Sequence, residues 1–528
     1  MTQSNLRTSK HEERDMAEET VSMLYKLKPI SDRLPTVTRP EGHVHFRTKM
    51  MWVAVILVLY FVMSNVYVWG LDQSESLDIF AQYRTIMAGA SGTILQLGIG
   101  PIVTASIIMQ LFVGAKIIKL DLSNKKDKAC YQSVLKLLVI VMIFVEAIPQ
   151  VFGYLVPSDT FTDTFGSVGA KLLIILQLFV GSYLVFLFDE VISKWGIGSG
   201  ISLFIAAGVS QAVFTGALNW YAVDNSSAMS LSNPPAGTIP KAIYVLMNTN
   251  SADMANGGYE MIFLGQPNPL IALIGTIVIF LIVVYLESSR IELPISHGNV
   301  RGARGKYPIK LMYASNIPVI LMSALLANIS MVCLLLYTND FLSGIPFLGG
   351  NASIGFYEDG STTASSGLAW YLSTPSGLTD WLLPILNPSS YGNDHTVLQN
   401  ICHVAIYMAV MVLGSIMFAK FWVETTNLGA ESVAKNIQRS GMQIPGFRRE
   451  PRVLKRVLDR YIPTITILSG ALIGLLAACA DMIGTTGNAT GTGLLLTVGI
   501  IIRFYEALGR EQMMEMNPMM RGFFGGEE

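Results

Sequence analysis

The chain has 528 residues, of which 51% are hydrophobic and 14% are charged, and its formal net charge is −1. A soluble domain of this size carries about a quarter charged residues, so the composition excludes a fold that is surrounded only by water. The four cysteines lie far apart and outside any Cys-x-x-Cys or Cys/His spacing. This pattern predicts free thiols, with no disulfide framework and no metal site.

Long apolar runs recur along the chain, beginning with residues 50–70, which contain no charge. About 20 apolar residues in a helix span the hydrocarbon core of a bilayer, and a helix satisfies its own backbone hydrogen bonds there. The sequence therefore predicts an all-α membrane protein with about ten transmembrane helices. The predicted spans are residues 50–70, 92–113, 134–156, 169–188, 200–218, 270–286, 311–337, 396–423, 461–481 and 491–508.

The distribution of basic residues predicts the orientation. If the amino terminus is cytosolic, an even number of spans places the carboxyl terminus there too, so that residues 1–49 and 509–528 are cytosolic tails. All but three of the 36 Lys and Arg residues then fall on or next to the inner side, the exceptions being Arg84, Lys171 and Lys241. Positively charged loops are typical of the cytosolic side, which favours this topology.

The spans divide into two groups of five, residues 50–218 and 268–508, separated by an outer loop at residues 219–267. An odd number of spans in each group suits an inverted repeat, although we find no convincing sequence similarity between the groups. A second outer loop, residues 338–395, contains no Lys or Arg. Both outer loops are rich in Gly, Ser, Asn and Pro, and we favour partly ordered surface over a dedicated functional element.

Two inner loops, residues 286–310 and 427–460, are large and basic. Basic loops of this kind face the anionic lipids of the inner leaflet. A protruding basic loop also attracts the phosphates of RNA. Composition alone leaves both interpretations open.

Catalytic motifs and buried charges are scarce in the sequence. It contains no metalloprotease, serine-hydrolase or phosphate-loop motif, and its six His are scattered, which predicts no enzyme activity, no catalytic residues and no cofactor. Ion-coupled transporters embed several ionisable residues near the midplane, whereas Glu146 is the clearest charge within these spans. A secondary transporter for a small solute is therefore the weaker alternative to an apolar pore, and an intramembrane enzyme is weaker still.

Two stretches resemble the signature segments of the SecY protein-translocation channel family: residues 94–112, ILQLGIGPIVTASIIMQLF, and residues 186–205, FLFDEVISKWGIGSGISLFI. Residues 305–310, GKYPIK, and 315–318, SNIP, resemble its archaeal-type branch, and residues 441–448, GMQIPGFR, resemble its last cytosolic loop. The resemblance extends over nearly the whole chain. It implies ten helices in two pseudo-symmetric five-helix halves that open around an hourglass pore.

The resemblance implies that a ring of apolar side chains closes the waist of this pore. Such side chains close around a polypeptide without bonding to it, and an apolar constriction excludes ions by dewetting. The implied ring residues are Ile99, Val103, Ile201, Ile205, Ile320 and Leu496, although Leu494 and Leu495 adjoin the last of them. The family also implies a plug at about residues 77–91 that blocks the pore from outside, where periodicity alone favours an interfacial helix.

A lateral gate between the second and seventh spans is implied as well, with Thr104, Glu146 and Asn328 at its polar positions. Polar contacts hold two membrane helices together with about 1 kcal/mol each, and a hydrophobic signal sequence that intercalates could replace them. Ribosome binding is implied for basic residues of the inner loops, since cationic side chains attract RNA phosphate. These residues are Arg301, Arg304, Lys310 and Arg448.

The resemblance thus implies the pore-forming subunit of a Sec translocon in the plasma membrane. Such a subunit is a passive channel that moves secretory polypeptides across the membrane and membrane-protein helices laterally into it. The implied partners are SecE-type and beta-type small subunits in a heterotrimer, the ribosome with its RNA, signal-sequence-bearing nascent polypeptides and membrane lipid. Because the sequence has no nucleotide-binding motif, a bound ribosome or another external motor would supply the work.

Overall fold

The computed structural model describes residues 29–516 apart from short gaps. The gaps are residues 32, 43, 73–83, 85, 115–116, 119, 121–123, 225–226, 298–303, 314–315, 339–350, 352, 359–362, 376, 389–394, 427, 440–441, 444–450 and 488. Across the described residues the fold is nearly all helical, which confirms the predicted fold class. All four cysteines lie in the described part of the chain, and none of them forms a disulfide there.

Ten helices form the body of the protein. They are α1 Phe46–Met63, α2 Gly100–Gly114, α3 Lys125–Gly153, α4 Ser167–Trp195, α5 Gly200–Leu218, α6 Leu270–Ser288, α7 Ile317–Thr338, α8 Val397–Thr425, α9 Pro451–Ile483 and α10 Gly491–Met516. Among the described residues, nine of these helices are long and apolar enough to cross a membrane, and α2 is a shorter apolar helix. At 1.5 Å per residue α2 is only about 22 Å long, so the chain that precedes it must complete its path through the bilayer.

Consecutive helices run in opposite directions, which gives the molecule two faces. The face that carries the start of α1, the end of α10 and the strands described below is called the sheet side. The opposite face, which carries the loops at residues 219–267 and 338–395, is called the loop side. Packing of α10 against α5 and of α2 against α7 and α8 joins the first five helices to the last five.

Most spans begin or end close to their predicted boundaries, and α2 ends within one residue of its predicted end but begins later than predicted. The predicted span begins at residue 92, whereas the helix begins at Gly100 and the chain before it forms turns. Gly98 has a positive φ of 54°, and a Cβ at this position would overlap the carbonyl oxygen of Met87. Because only glycine adopts this conformation without strain, the helix starts after this residue.

A small antiparallel sheet lies on the sheet side. Its strands are β1 Arg290–His297, β2 Arg304–Lys310 and β3 Met442–Gln443, in the order β2-β1-β3. The sequence analysis did not predict these strands, because each is short and β1 and β2 both contain proline, which is confined to edge or irregular positions in sheets. The sheet joins the two basic inner loops, which are far apart in the sequence.

Short helices order much of the loop side. The loop at residues 219–267 contains the helix Thr238–Asn248, followed by Ser251–Asp253, a wider turn at Met254–Gly258, and Tyr259–Phe263. The later loop contains Leu368–Leu372 and Leu378–Leu386, and Asp159–Phe165 precedes α4. The described parts of both outer loops therefore contain short helices.

A glycine in the middle of α4 allows the turn that precedes α2 to pack closely against this helix. A Cβ on Gly181 would overlap the carbonyl group of Ile94, so α4 and this turn approach more closely than any other residue would permit. Gly169 lies in the same helix, but a Cβ there would make only an ordinary contact of 3.6 Å with Phe165. The two positions therefore form a matched pair.

Replacement of Gly181 by alanine should destabilise the protein by about 1–3 kcal/mol, because the added methyl group displaces the backbone at Ile94. The midpoint of thermal unfolding in detergent measures the effect. Gly169→Ala should leave the midpoint unchanged or raise it, since alanine favours a helix. Equal midpoints for the two variants would contradict the close approach of α4 to residue 94.

Candidate pore, plug and lateral gate

The six residues implied for the pore ring lie on four helices that share one apolar core. Ile99 immediately precedes α2, and the Val103 N–H donates to the Ile99 carbonyl oxygen at 3.0 Å, so both residues lie at the first turn of that helix. Five of the six are buried, and Ile201 packs against the same core. Besides Ile99 and Val103, the implied ring residues are Ile201 and Ile205 on α5, Ile320 on α7 and Leu496 on α10.

Two carboxylates hold the first turns of α5 and α10, which carry three of these residues. Asp189, near the end of α4, accepts a hydrogen bond from the Ile201 N–H at 3.0 Å. Asp481, near the end of α9, accepts one from the Thr492 N–H at 2.8 Å. Each amide belongs to the second residue of its helix, where the N–H has no partner within the helix. Each carboxylate therefore acts as an amino-terminal cap that comes from the preceding helix.

The two caps are related as an inverted repeat requires. Each joins the fourth helix of a group of five to the fifth, one on the sheet side and the other on the loop side. Gly200 and Gly491 begin the two capped helices, and a Cβ on either would overlap the backbone of the preceding helix. Ile205 and Leu496 each follow the capped residue by four positions. This equivalence selects Leu496 rather than its leucine neighbours as the counterpart of Ile205.

The described part of the implied plug, residues 84 and 86–91, is bonded to the start of α2. The Ile99 N–H donates to the Met87 carbonyl oxygen at 2.8 Å. The side chain of Arg84 donates to the Gln96 carbonyl oxygen at 3.3 Å. Residues 77–83 and 85 of the implied plug lie outside the described residues.

The same segment is also buried among the helices of the ring. Ile86 lies beside α10, since a Cβ on Gly493 would be 3.5 Å from Ile86 Cγ1. The Tyr60 hydroxyl of α1 donates to the Ala88 carbonyl oxygen at 2.9 Å. The Tyr60 ring stacks on Phe204 of α5, with ring centroids 4.9 Å apart. The segment is thus held by α1, α2 and α10.

The three residues implied for the lateral gate form one chain of hydrogen bonds across α7, α2 and α3. Asn328 Nδ2 donates to Thr104 Oγ1 at 3.2 Å. Thr104 Oγ1 donates to Glu146 Oε1 at 2.8 Å, and its hydrogen also lies within reach of the Gly100 carbonyl oxygen at 2.9 Å. Glu146 is buried. The structure therefore brings together all three residues that the sequence analysis assigned to this site.

Among the four residues implied for ribosome binding, Lys310 is the one whose side chain the structure describes. It lies at the end of β2 and donates to Glu506 of α10 at 2.7 Å, and Arg290 is 3.4 Å from the same carboxylate. Arg304 belongs to β2, but its side chain is outside the described part. Arg301 and Arg448 lie outside the described residues.

The sequence analysis also missed buried acids, two of which contact α10. Asp481 accepts hydrogen bonds from the Tyr407 hydroxyl at 2.8 Å and from the Thr492 hydroxyl, in addition to its capping contact. Glu287, at the end of α6, lies 3.4 Å from Arg503 of α10. Both acids stand at the ends of predicted spans, where a charge is usually solvated. The sequence offers no signal that distinguishes an acid at a solvated end of a span from an acid at a buried end.

The Thr104 hydroxyl and the Asn328 side-chain amide should contribute to stability jointly, because they bond to each other. In a double-mutant cycle, Thr104→Val and Asn328→Leu should give a coupling free energy of about 0.5–1 kcal/mol, measured by denaturant unfolding in detergent. Ser106→Ala provides the control, because the Ser106 hydroxyl bonds to the Ile102 carbonyl of its own helix at 2.9 Å. A coupling with Asn328→Leu as large for Ser106 as for Thr104 would contradict a specific contact.

Comparisons with known proteins agree with this geometry. A family model described as SecY matches residues 93–505, and one described as the plug domain of Sec61p matches residues 58–92. Relatives named protein translocase subunit SecY include that of Archaeoglobus fulgidus, which is 46% identical over 96% of this chain and 99% of its own length. The Methanocaldococcus jannaschii relative is 42% identical over 93% of this chain and 98% of its own length.

Solved structures show the same fold. One described as the structure of a protein conducting channel has a TM-score of 0.71 and 40% identity, and the match covers 93% of this chain and 98% of that chain. Another, described as Sec61 in the canine ribosome-channel complex from the endoplasmic reticulum, has a TM-score of 0.69, 40% identity and the same coverage. The chain therefore belongs to the SecY family, whose members form the protein-conducting channel of the Sec translocon.

Proposed function

We propose that this chain is the central subunit of a Sec translocon and that polypeptides pass through its apolar ring. The observation that carries the proposal is the contact between the plug segment and the ring. The Met87 carbonyl oxygen accepts a hydrogen bond from the N–H of Ile99, one of the implied ring residues. A segment held by single hydrogen bonds and apolar contacts can be displaced by a polypeptide that enters from the sheet side. The ring then closes around the polypeptide without sequence-specific bonds.

We propose the membrane as the second exit from this channel. Separation of α2 from α7 breaks the contact between Thr104 and Asn328 and opens a path to lipid. A hydrophobic signal sequence that enters between the two helices offsets the lost contact by its own burial in lipid. If α2 and α3 move together, the hydrogen bond between Thr104 and Glu146 is kept. If α2 moves alone, this bond is lost.

The orientation follows from the distribution of charge. We place the sheet side and both chain termini in the cytosol, because the basic inner loops lie there and positively charged loops remain cytosolic. The plasma membrane is the expected location, since the relatives named above are archaeal. In this orientation the plug segment lies on the outer side of the ring.

The proposed partners are a ribosome on the sheet side and SecE-type and beta-type small subunits within the membrane. Support for the ribosome comes from the similar Sec61 structure, which is described in a ribosome-channel complex. The proposed contact residues are Arg301, Arg304, Lys310 and Arg448. A channel of this kind uses an external motor and has no reaction of its own to catalyse. No comparison supports the solute-transporter alternative.

A cysteine at Ile320 should crosslink to a secretory polypeptide held in the pore. The four native cysteines are first replaced, and a ribosome-stalled chain with one cysteine at its midpoint is then engaged and oxidised. Formation of the disulfide is read as a shift on a gel. We expect strong crosslinking because Ile320 lies in the ring and a translocating chain must contact it.

Two exposed positions serve as controls for this experiment. Val332→Cys lies on the same helix and is 49% exposed, and Leu413→Cys lies near the middle of α8 and is 67% exposed. Neither should crosslink, since both face away from the core. Crosslinks at the controls, or none at residue 320 while the ribosome remains bound, would rule out the assigned ring.

Ribosome affinity should respond in opposite directions to changes in the Lys310–Glu506 pair. Lys310→Ala should weaken ribosome binding, because one phosphate contact is lost. In a plot of log affinity against log salt concentration, the slope should become shallower by about one. Glu506→Gln should strengthen binding, because it releases Lys310 from its intramolecular partner. Cosedimentation with ribosomes at several salt concentrations measures both. Lys171→Ala, on the loop side, should change neither quantity, and equal effects at both lysines would contradict a direct contact.

A further inference from the structure

The helix Thr238–Asn248, between α5 and α6, buries its charged residue and exposes an apolar face, unlike a helix in water. Lys241 is its one charged residue and is only 1% exposed. Four apolar residues are 40% to 80% exposed: Ile239, Ile243, Leu246 and Met247. Their spacing places them on a single face of the helix. A helix that exposes such a face is suited to an apolar environment.

The buried lysine ties this helix to the end of a membrane span. Lys241 Nζ donates to the carbonyl oxygens of Gly265 and Pro267, both at 2.6 Å, and these residues closely precede Leu270, where α6 begins. Burial lowers the pKa of Lys241 to about 8, because it disfavours the charged amine. The two hydrogen bonds therefore place the helix beside the loop-side end of α6.

Neighbouring segments continue the apolar character of this region. Val245 packs with Met254 and Ile262 in a small core that Leu270 of α6 completes. Tyr259 and Phe263, four positions apart in the following helix, are exposed. Below them, α6 exposes further apolar residues: Ile274, Ile277 and Leu281. The exposed apolar residues of the loop therefore adjoin an exposed apolar span.

We propose that the helix Thr238–Asn248 lies in the membrane interface on the loop side, with Ile239, Ile243, Leu246 and Met247 inserted among the lipids. Insertion removes these side chains from water, and the inward-facing Lys241 keeps the only charge of the helix away from the acyl chains. The aromatic residues Tyr259 and Phe263 suit the same depth. The lipid surface thereby holds the connection between the first five helices and the last five.

Fluorescence quenching by lipid tests this placement directly. The full chain, with its native cysteines replaced and Met247→Cys labelled with a small environment-sensitive fluorophore, is reconstituted into phosphatidylcholine–phosphatidylglycerol nanodiscs. Some of the lipid carries a doxyl quencher either near the headgroup or near the end of the acyl chain. We expect the headgroup-proximal quencher to reduce fluorescence about twofold, the deep quencher to have less effect, and iodide in solution to have little.

Two labelled positions calibrate the result. Asp253→Cys, exposed and polar in the next segment, should be quenched by iodide and not by lipid, and Leu281→Cys, on α6, should respond most to the deep quencher. Strong iodide quenching at residue 247 would place the helix in water and overturn the proposal. Protection of residue 247 from both iodide and doxyl lipid would overturn it too, since a protein surface would then cover this face.

Discussion

Two hydrogen bonds between carboxylates and helix amino termini organise the interior of this protein. Asp189 holds the start of α5 and Asp481 holds the start of α10, and the two helices pack against each other across the boundary between the first and second groups of five. A helix that begins inside a membrane leaves N–H groups without water to satisfy them, so a fixed acceptor is required there. Each acceptor comes from the preceding helix, which sets the register of the next one and thereby the depth of Ile205 and Leu496.

The proposed channel combines an apolar seal with a small number of polar contacts that can be exchanged. Apolar side chains exclude water and ions without selecting a partner, which suits a channel for polypeptides of many sequences. Polar contacts instead determine which parts separate. The Tyr60 hydroxyl and the Ile99 amide bind carbonyl oxygens of the plug segment, and Asn328 binds Thr104 across the gate. Each is worth little by itself, so in the proposed function one incoming segment is enough to replace it.

The two faces of the molecule differ in how they meet their surroundings. On the sheet side, acids of α10 pair with cations of the strands and of α1, as in Glu506 with Lys310 and Glu511 with Lys49. Such half-exposed pairs weaken with salt, and an RNA phosphate can compete for the same cations. On the loop side, basic residues are few, and the helix Thr238–Asn248 turns its single lysine inward. Charge governs contacts on one face, whereas apolar area governs them on the other.

The amino-acid sequence by itself determined the spans and their number and indicated a pore, because twenty-residue apolar runs and the bias of Lys and Arg are local properties that need no partner. Its motifs also led to Thr104, Glu146 and Asn328, which the structure joins in one hydrogen-bonded chain. Only the tertiary structure decided that α2 begins at Gly100, that the two basic loops share a sheet, and that Asp481 is buried rather than solvated. Each of these depends on a tertiary contact: the start of α2 on the Met87 carbonyl, the sheet on a strand about 150 residues away, and Asp481 on the first turn of α10. The inverted repeat also became visible only in the structure, because the two groups of helices have equivalent capping contacts but no convincing sequence similarity.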